Sequence, residues 1–374
     1  MANMNVVILG GAGDMGGRVV KELYKSGEVN VTVADYRVDR AQKLAGDLGP
    51  GVTVKFADAN SRASLAEVLR GADLCINCVG PFYRYAFDIA AAAIHAGVNY
   101  IDICDDDDAT LALLSLDGMA RRKNVSLLIG MGWTPGISNL LALHAARQMD
   151  AAEEIDMTWV GSASDSEGIA VIKHVLHAVT RRTPMYEDYR WVEVPALTGE
   201  KAVPFPEPIG TVNAYYCGHP EPVTLPRFMD GLKRVSLRGY LLPQELNQLT
   251  KTLIDLELLN SMPKKDALAG LLQTMLPFLR NLGGKAAPPL SGIRVDVAGH
   301  KDGRPVIKSY CAVDSMDRLT GIPPAVAALL VARGMLVLPA GVYAPEGCLD
   351  PAVFLAELAQ RKIEVKEIAP ENGK

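Results

Sequence analysis

The segment Val6-Val-Ile-Leu9 runs straight into Gly10-Gly-Ala-Gly-Asp-Met-Gly16. An amphipathic stretch follows, with Val19, Val20, Leu23 and Tyr24 on one face, and stops near Gly27. A second apolar strand, Val29–Ala34, then ends on Asp35. A strand, a Gly-x-Gly-x-x-Gly turn opening a helix, and an acid at the end of the next strand together make a dinucleotide-binding pattern. Gly11 is expected to permit the tight turn, Gly13 to let backbone approach a pyrophosphate, and Gly16 to let helix and strand pack closely. The helix start offers N–H groups and its dipole to phosphate. Asp35 stands where a carboxylate binds ribose hydroxyls, which favours NAD because a 2′-phosphate would meet a like charge. Arg37 and Arg40 lie just beyond and keep NADP possible. Asp14 and Met15 in the loop, and Asp58 after the third strand, are further candidate cofactor contacts.

The alternation continues with helix 38–48, strand 52–56, helix 61–70, strand 73–79, helix 85–97, strand 98–103, helix 108–123 and strand 125–130. Strands separated by helices of about ten residues imply right-handed parallel βαβ units. The expected fold is therefore α/β, a Rossmann-type doubly wound parallel sheet plus an inserted mixed α/β substrate domain. After Gly132-Trp-Thr-Pro-Gly136 a helix is expected to about Gln148. Strands at 155–160, 189–194, 212–217 and 233–238 follow, with helices at 168–179, 244–260 and 264–281. A hairpin at 293–299 and 306–313 is turned by Lys301-Asp-Gly-Arg304, since Asp-Gly tolerates positive φ at both central positions. The Pro-rich stretch 204–226 reads as a surface excursion. Residues 318–374 return to helix, a strand-like 336–338, and helix 351–361.

Charge excludes one class of function: 38 Lys+Arg face 43 Asp+Glu with no basic block, so nucleic acid is not an expected partner. The N-terminus shows no signal peptide, and the longest later apolar run, Ala325–Ala332, is too short for a bilayer, so no membrane partner is expected either. Six scattered cysteines do not form a disulfide framework and suit a reducing, cytoplasmic setting. Cys75 and Cys78 have redox-motif spacing, but residues three apart on a strand point to opposite faces, which favours core packing.

In open α/β sheets ligands bind beyond the carboxyl ends of the strands, and three loops there have unusual content. The first is Asn77-Cys-Val-Gly-Pro-Phe-Tyr83, where Cys78, Val79, Gly80 and Pro81 border the cofactor. Phe82 and Tyr85 are candidate substrate contacts, and Tyr83 is a candidate hydrogen-bond donor in catalysis. The second runs from Asp102 to Asp108. Asp102 and Asp105 are candidate acid–base groups and Asp106 a candidate partner of a substrate ammonium; adjacent like charges should raise at least one pKa. The third, Gly130–Asn139, offers Trp133, Thr134 and Asn139 to substrate. His174 and His177 share one side of a helix, His174 as a candidate acid–base and His177 as a substrate contact. Arg181 and Arg182 beyond them could hold a carboxylate. No third ligand accompanies the histidines at metal-binding spacing, so no metal is expected. Neither a Gly-x-Ser-x-Gly elbow, a His-Glu-x-x-His motif nor a phosphate loop with Lys is present, which counts against hydrolase, zinc protease and kinase.

The motifs Cys78-Val-Gly-Pro-Phe82, Ala96-Gly-Val-Asn-Tyr-Ile-Asp102, Thr134-Pro-Gly-Ile-Ser-Asn139, Thr320-Gly-Ile-Pro323 and Gly341-Val-Tyr-Ala-Pro-Glu346 resemble the saccharopine dehydrogenase family, including its lysine 6-dehydrogenase and carboxynorspermidine dehydrogenase branches. Residues 150–290 carry no matching motif. The resemblance implies that the helix after Thr-Gly-Ile-Pro packs back on the nucleotide domain, giving a discontinuous first domain, 1–137 with 318–374, and a second at 138–317. It also implies hydride transfer between NAD(P) and a carbon–nitrogen bond of an amino acid or polyamine; the open sheet of the substrate domain is the expected contact of a homodimer. A reductase acting on C=C or C=O is the alternative, and a non-catalytic NAD(P) sensor a third reading.

Overall fold

Strand β1 (Met4–Leu9) buries Val6, Val7, Ile8 and Leu9 on both faces, as a central parallel strand must. In the computed structural model, which describes residues 3–165, 168–281 and 288–369, it is followed by α1 (Asp14–Ser26), β2 (Val29–Asp35), α2 (Val38–Leu48), β3 (Val52–Phe56), α3 (Arg62–Leu69), β4 (Leu74–Asn77), α4 (Phe82–Ala96), β5 (Asn99–Asp102), α5 (Asp107–Leu114), α6 (Asp117–Lys123) and β6 (Ser126–Leu128). Two boundaries differ from expectation. Helix α4 starts at Phe82 because Pro81 serves as its N-cap, and 108–123 is two helices rather than one.

Elements α7 (Ile137–Ala146), β7 (Ala151–Ser162), α8 (Ile169–Ala178), β8 (Arg182–Glu187), β9 (Arg190–Pro195), β10 (Lys201–Pro204), β11 (Thr211–Tyr216), α9 (Glu221–Phe228), β12 (Arg234–Leu242), α10 (Glu245–Asp255), α11 (Met262–Leu279), β13 (Ser291–Lys301) and β14 (Arg304–Asp314) come next. The chain closes with α12 (Met316–Ala332), β15 (Gly341–Tyr343), α13 (Pro351–Gln360) and β16 (Val365–Ile368).

The first sheet has the order β15-β6-β5-β4-β1-β2-β3, and every pairing in it is parallel. Strand order reverses between β1 and β4, the switch point at which such sheets bind ligands. The second sheet has the path β10-β11-β12-β7-β13-β14-β16, with β8 paired to β12 and β9 paired to β8. It is mixed, since β12 pairs parallel with β7 while β13 pairs antiparallel with both β7 and β14. The β13–β14 turn has Asp302 at φ 51° and Gly303 at φ 69°, the positive pair that the Asp-Gly sequence announced.

The chain divides into two units, Met1–Ile137 with Asp317–Asp350, and Ser138–Met316 with Pro351–Lys374. Placing all of 318–374 in the first domain is therefore corrected. Within it, α12 and β15 go to the first unit, but β16 pairs antiparallel with β14 in the second. The strand expected at 336–338 is absent, and Val337 is 81% exposed. Residues 341–343 supply the strand instead, alongside β6. The reading of 204–226 as a surface excursion is also overturned. Phe205, Ile209 and Val212 join the second unit's core, and Pro222 through Leu225 are buried in α9. None of the six cysteines forms a disulfide, and burial raises the Cys75 and Cys78 thiols well above their usual range, consistent with packing rather than redox use. No helix among the described residues is long and apolar enough to cross a membrane.

Candidate functional site

The glycine loop is shaped by backbone approach. Gly10 takes φ +73° and donates its amide to Ala34 O at 2.9 Å. A Cβ there would lie 2.9 Å from the Cys78 carbonyl oxygen, so the loops after β1 and β4 touch at the switch point. The tight turn is thus made by Gly10, which corrects its assignment to Gly11. Gly11 matters for close packing, because its Cβ would stand 3.0 Å from Ile8 O. At Gly16 a Cβ would fall 2.2 Å from Gly10 O, which holds α1 hard against the loop. Gly13 is the N-cap of α1 and no side chain caps that helix end. A glycine-rich cradle leading to an uncapped helix start fits a dinucleotide pyrophosphate. Asp14 on this helix is exposed and Met15 half-buried.

Asp35 is 7% exposed and tied to this loop through one of its two oxygens. Its Oδ2 accepts from Ala12 N at 3.0 Å and its Oδ1 from Arg37 N at 2.9 Å. The Arg37 and Arg40 side chains are exposed. Asp58 accepts from Asn60 N at 2.9 Å and shapes the turn after β3. Sequence reasoning missed Tyr36 and Phe56 at the ends of β2 and β3. They are 69% and 52% exposed, with ring centroids 5.7 Å apart. Two adjacent exposed aromatics at strand ends were the available signal.

Beyond β4, Val79 N donates to Asn77 Oδ1 at 2.9 Å, setting the path of Cys78, Val79, Gly80 and Pro81. Phe82 is buried in the core of this unit, and Tyr85 packs on that core. Tyr83 is half-buried; its amide donates to Asp106 Oδ2 at 2.9 Å, joining the starts of α4 and α5. Asp106 and Asp107 are each 1% exposed, so this is no solvated helix start, while Asp105 is half-buried. Asp102 is buried, and its Oδ1 accepts from Gly130 N at 2.7 Å and Cys104 N at 3.0 Å. Burial raises its pKa to about 6, with the two amides pulling the other way. Trp133 and Thr134 are buried in a loop closed by Gly132 N donating to Pro135 O at 2.9 Å. Gly136 permits that closure, because a Cβ on it would lie 2.1 Å from Gly132 O.

Two of the resembling motifs prove architectural. A Cβ at Gly321 would stand 2.8 Å from Met15 O and 2.6 Å from Arg18 Cβ, so Thr320-Gly-Ile-Pro323 seats α12 on the start of α1. Arg18 pairs with Asp317 at 2.5 Å across the same contact. Gly341-Val-Tyr343 is β15, and Asp117 Oδ1 accepts from Val342 N at 3.0 Å to anchor it.

The second unit holds its own buried polar cluster. His174 on α8 lies with its Nε2 3.3 Å from His219 Nε2, and His219 Nδ1 is 3.4 Å from Glu221 Oε2. Ser138 Oγ donates to Glu221 Oε1 at 2.8 Å, and Asn139 Nδ2 donates to Thr224 Oγ1 at 3.2 Å. His219 and Glu221 escaped the sequence reading because they sit in the Pro-rich stretch taken for surface. His177 is buried on the same helix as His174. Arg181 is half-buried, whereas Arg182 starts β8 rather than ending a helix. Its guanidinium is taken up by Glu193, donating to the backbone carbonyl and lying 3.7 Å from the carboxylate.

Residues 6–126 match the family described as saccharopine dehydrogenase NADP binding domain. A saccharopine dehydrogenase-like oxidoreductase of Rattus norvegicus is 29% identical over 133 residues, 35% of this chain and 31% of that protein. A lipid droplet localized protein of Caenorhabditis elegans is 28% identical over 146 residues, 36% of this chain and 34% of that protein. The matched stretch is thus about a third of the length of these curated relatives. Saccharopine dehydrogenase (L-Glu forming) of Saccharomyces cerevisiae has the same fold, with TM-score 0.69 and 17% identity over 98% of this chain and all of that one. Residues 6–126 are therefore similar to the NADP-binding domain of saccharopine dehydrogenases.

Proposed function

We propose that this protein is an NAD(P)-dependent oxidoreductase that moves a hydride to or from the C–N carbon of a lysine-like amino acid, a saccharopine-type opine or a polyamine. The observation that carries the reading is the uncapped start of α1 behind the glycine loop at the β1/β4 switch point. Carboxylates end the neighbouring strand and open α5 on the same edge of the sheet. When bound, NAD(P) supplies the carbon that gives or takes hydride. The backbone of Gly11–Gly16 and the α1 dipole bind its pyrophosphate. Asp35 receives the ribose hydroxyls, Tyr36 and Phe56 wall the adenine, and Cys78 to Pro81 border the nicotinamide. Asp35 supports NAD as the preferred form, and the exposed Arg37 and Arg40 suit the phosphate of NADP.

An ammonium or iminium carbon carries positive charge, and buried carboxylates recognise it. Asp105 and Asp106 take that role. Asp102 shapes the floor beneath them by fixing the 103–105 and 130–132 loops through its two amide bonds. The second unit serves as the substrate domain and a homodimer contact in this reading, and the six cysteines without a disulfide fit a cytoplasmic setting. The purified protein is tested with lysine, saccharopine and carboxynorspermidine while NADH and NADPH absorbance is followed. Turnover of at least one is expected. Inactivity with every amine, together with reduction of an enone or ketone, would overturn the reading, and elution as a monomer would remove the dimer.

A further inference from the structure

The connection from α12 to β15 is apolar and exposed. Gly334 closes α12 at φ 68°, and Met335 N and Leu336 N donate to Leu330 O at 2.9 and 3.0 Å. These bonds hold the segment on one path. Along it Leu336 turns inward at 6% exposure, between Met335 at 60% and Val337 at 81%. Val337 is the most exposed large apolar side chain among the described residues, and Pro339 beyond it is exposed as well. Residues 334–340 contain no polar side chain at all. A lone exposed apolar residue needs no explanation, whereas a cluster of them marks a contact surface.

The neighbouring surface is basic. Ser126 Oγ donates to Leu338 O at 2.9 Å and Gly341 N to Val125 O at 3.0 Å, so the loop ends beside the turn between α6 and β6. Arg121, Arg122 and Lys123 form the last turn of α6. Arg121 pairs with Asp117 at 2.7 Å, and Arg333 at the end of α12 pairs with Glu28 at 2.7 Å. Arg122 and Lys123 are exposed, and neither residues 118–132 nor residues 318–345 contain a carboxylate. We propose that residues 334–340 and the end of α6 dock the first unit onto an anionic bilayer surface, with Met335 and Val337 entering the acyl boundary and Arg122 and Lys123 meeting the head groups. A bilayer can be bound without being crossed, so the shortness of the run 325–332 does not bear on this contact. Apolar area leaves water on docking, and the cations are drawn by the negative surface potential within a Debye length. A protein interface takes ~20–30 residues a side, whereas a bilayer asks only for a short apolar projection among cations. Strands β6 and β15 run parallel and begin at this edge, while the glycine loop follows the carboxyl end of β1 at the other. Docking therefore leaves the dinucleotide edge turned to water, and it stands apart from the reaction proposed above.

Flotation of the full chain with phosphatidylcholine vesicles, with and without phosphatidylserine, tests this. Binding to the anionic vesicles is expected at low salt and should weaken as salt rises. Met335→Ser with Val337→Ser, and separately Arg122→Glu with Lys123→Glu, should each lower the partition coefficient by about tenfold or more. All four positions are exposed, so both variants should keep the wild-type Tm and NADH affinity. Leu271→Ser with Phe278→Ser, at exposed apolar positions of α11 in the second unit, should bind vesicles as the wild type does. No binding to anionic vesicles, equal binding to neutral ones, or an equal loss in the α11 variant would overturn the proposal. So would wild-type binding by either the loop variant or the α6 variant. A lipid-independent dimer that dissolves in the loop variant would assign this surface to a second copy of the chain instead.

Discussion

Replacing Gly16 with alanine places a methyl carbon 2.2 Å from the Gly10 carbonyl oxygen and 2.9 Å from the Gly11 Cα. Both neighbours are backbone and cannot rotate aside, so about 1.2 Å must open before ordinary contact at 3.4 Å is restored. Overpacking of this kind costs ~1–3 kcal/mol, while alanine gains ~1 kcal/mol over glycine inside a helix. The net loss of stability is therefore small, at most ~2 kcal/mol. Binding is affected more. The N–H groups at the start of α1 shift with the helix, and losing one hydrogen bond to a charged phosphate costs ~1.5–3 kcal/mol. The dissociation constant should rise by ~10–100-fold. Fluorescence titration with NADH and NADPH measures it, with thermal unfolding run in parallel. Gly13→Ala is the comparison: its Cβ would sit 3.3 Å from Gly10 O, so the loop keeps its shape and Tm, while the methyl group hinders the approach of pyrophosphate. A Gly16→Ala protein with wild-type affinity would refute the argument that close α1 packing sets the cofactor cradle.

Asp35→Asn removes the charge that a 2′-phosphate would meet, and should shift the KM ratio toward NADP by about tenfold, ~1.4 kcal/mol; an unchanged ratio would show that Asp35 does not select the coenzyme. Asp102→Ala strands the Gly130 and Cys104 amides and should cost ~1–3 kcal/mol for each buried donor, read as a lower urea midpoint, whereas Asp102→Asn keeps an acceptor and should cost less. Folded Asp102 takes up its proton near pH 6 and the unfolded chain only near 3.8, so this group's contribution to stability grows as pH falls from about 7 to 4 and is lost as pH rises through about 6. Urea midpoints at pH 7 and 5 should differ in this sense more for the wild type than for Asp102→Asn, and equal differences would contradict it. Gly303 sits at φ 69° in the β13–β14 turn, so Gly303→Val should cost ~1–2 kcal/mol, and an unchanged Tm would count against the turn assignment.

Local chemistry carried much of the candidate site. The glycine loop, its strand and helix, Asp35, and the β13–β14 turn each depend on residues close together in sequence, where φ preference and the helix and strand periods act directly. What escaped depended on distant partners. Asp102 reads as a candidate acid–base group until its amide donors from Cys104 and Gly130 close around it. His219 and Glu221 read as part of a Pro-rich surface until α8 brings His174 to them. The motif Thr320-Gly-Ile-Pro323 gained its meaning only from the Met15 and Arg18 atoms lying against Gly321.

The sequence alone determined that a doubly wound parallel sheet begins at Val6 and cradles a dinucleotide, because the glycine spacing and the strand–helix alternation admit few other backbones. Tertiary structure alone decided that β15 rather than 336–338 completes that sheet, that β16 joins the second one, and that two histidines and a glutamate are buried together. Strand pairing and the burial of polar groups are settled by the free energy of long-range contacts, which a short window of residues does not contain.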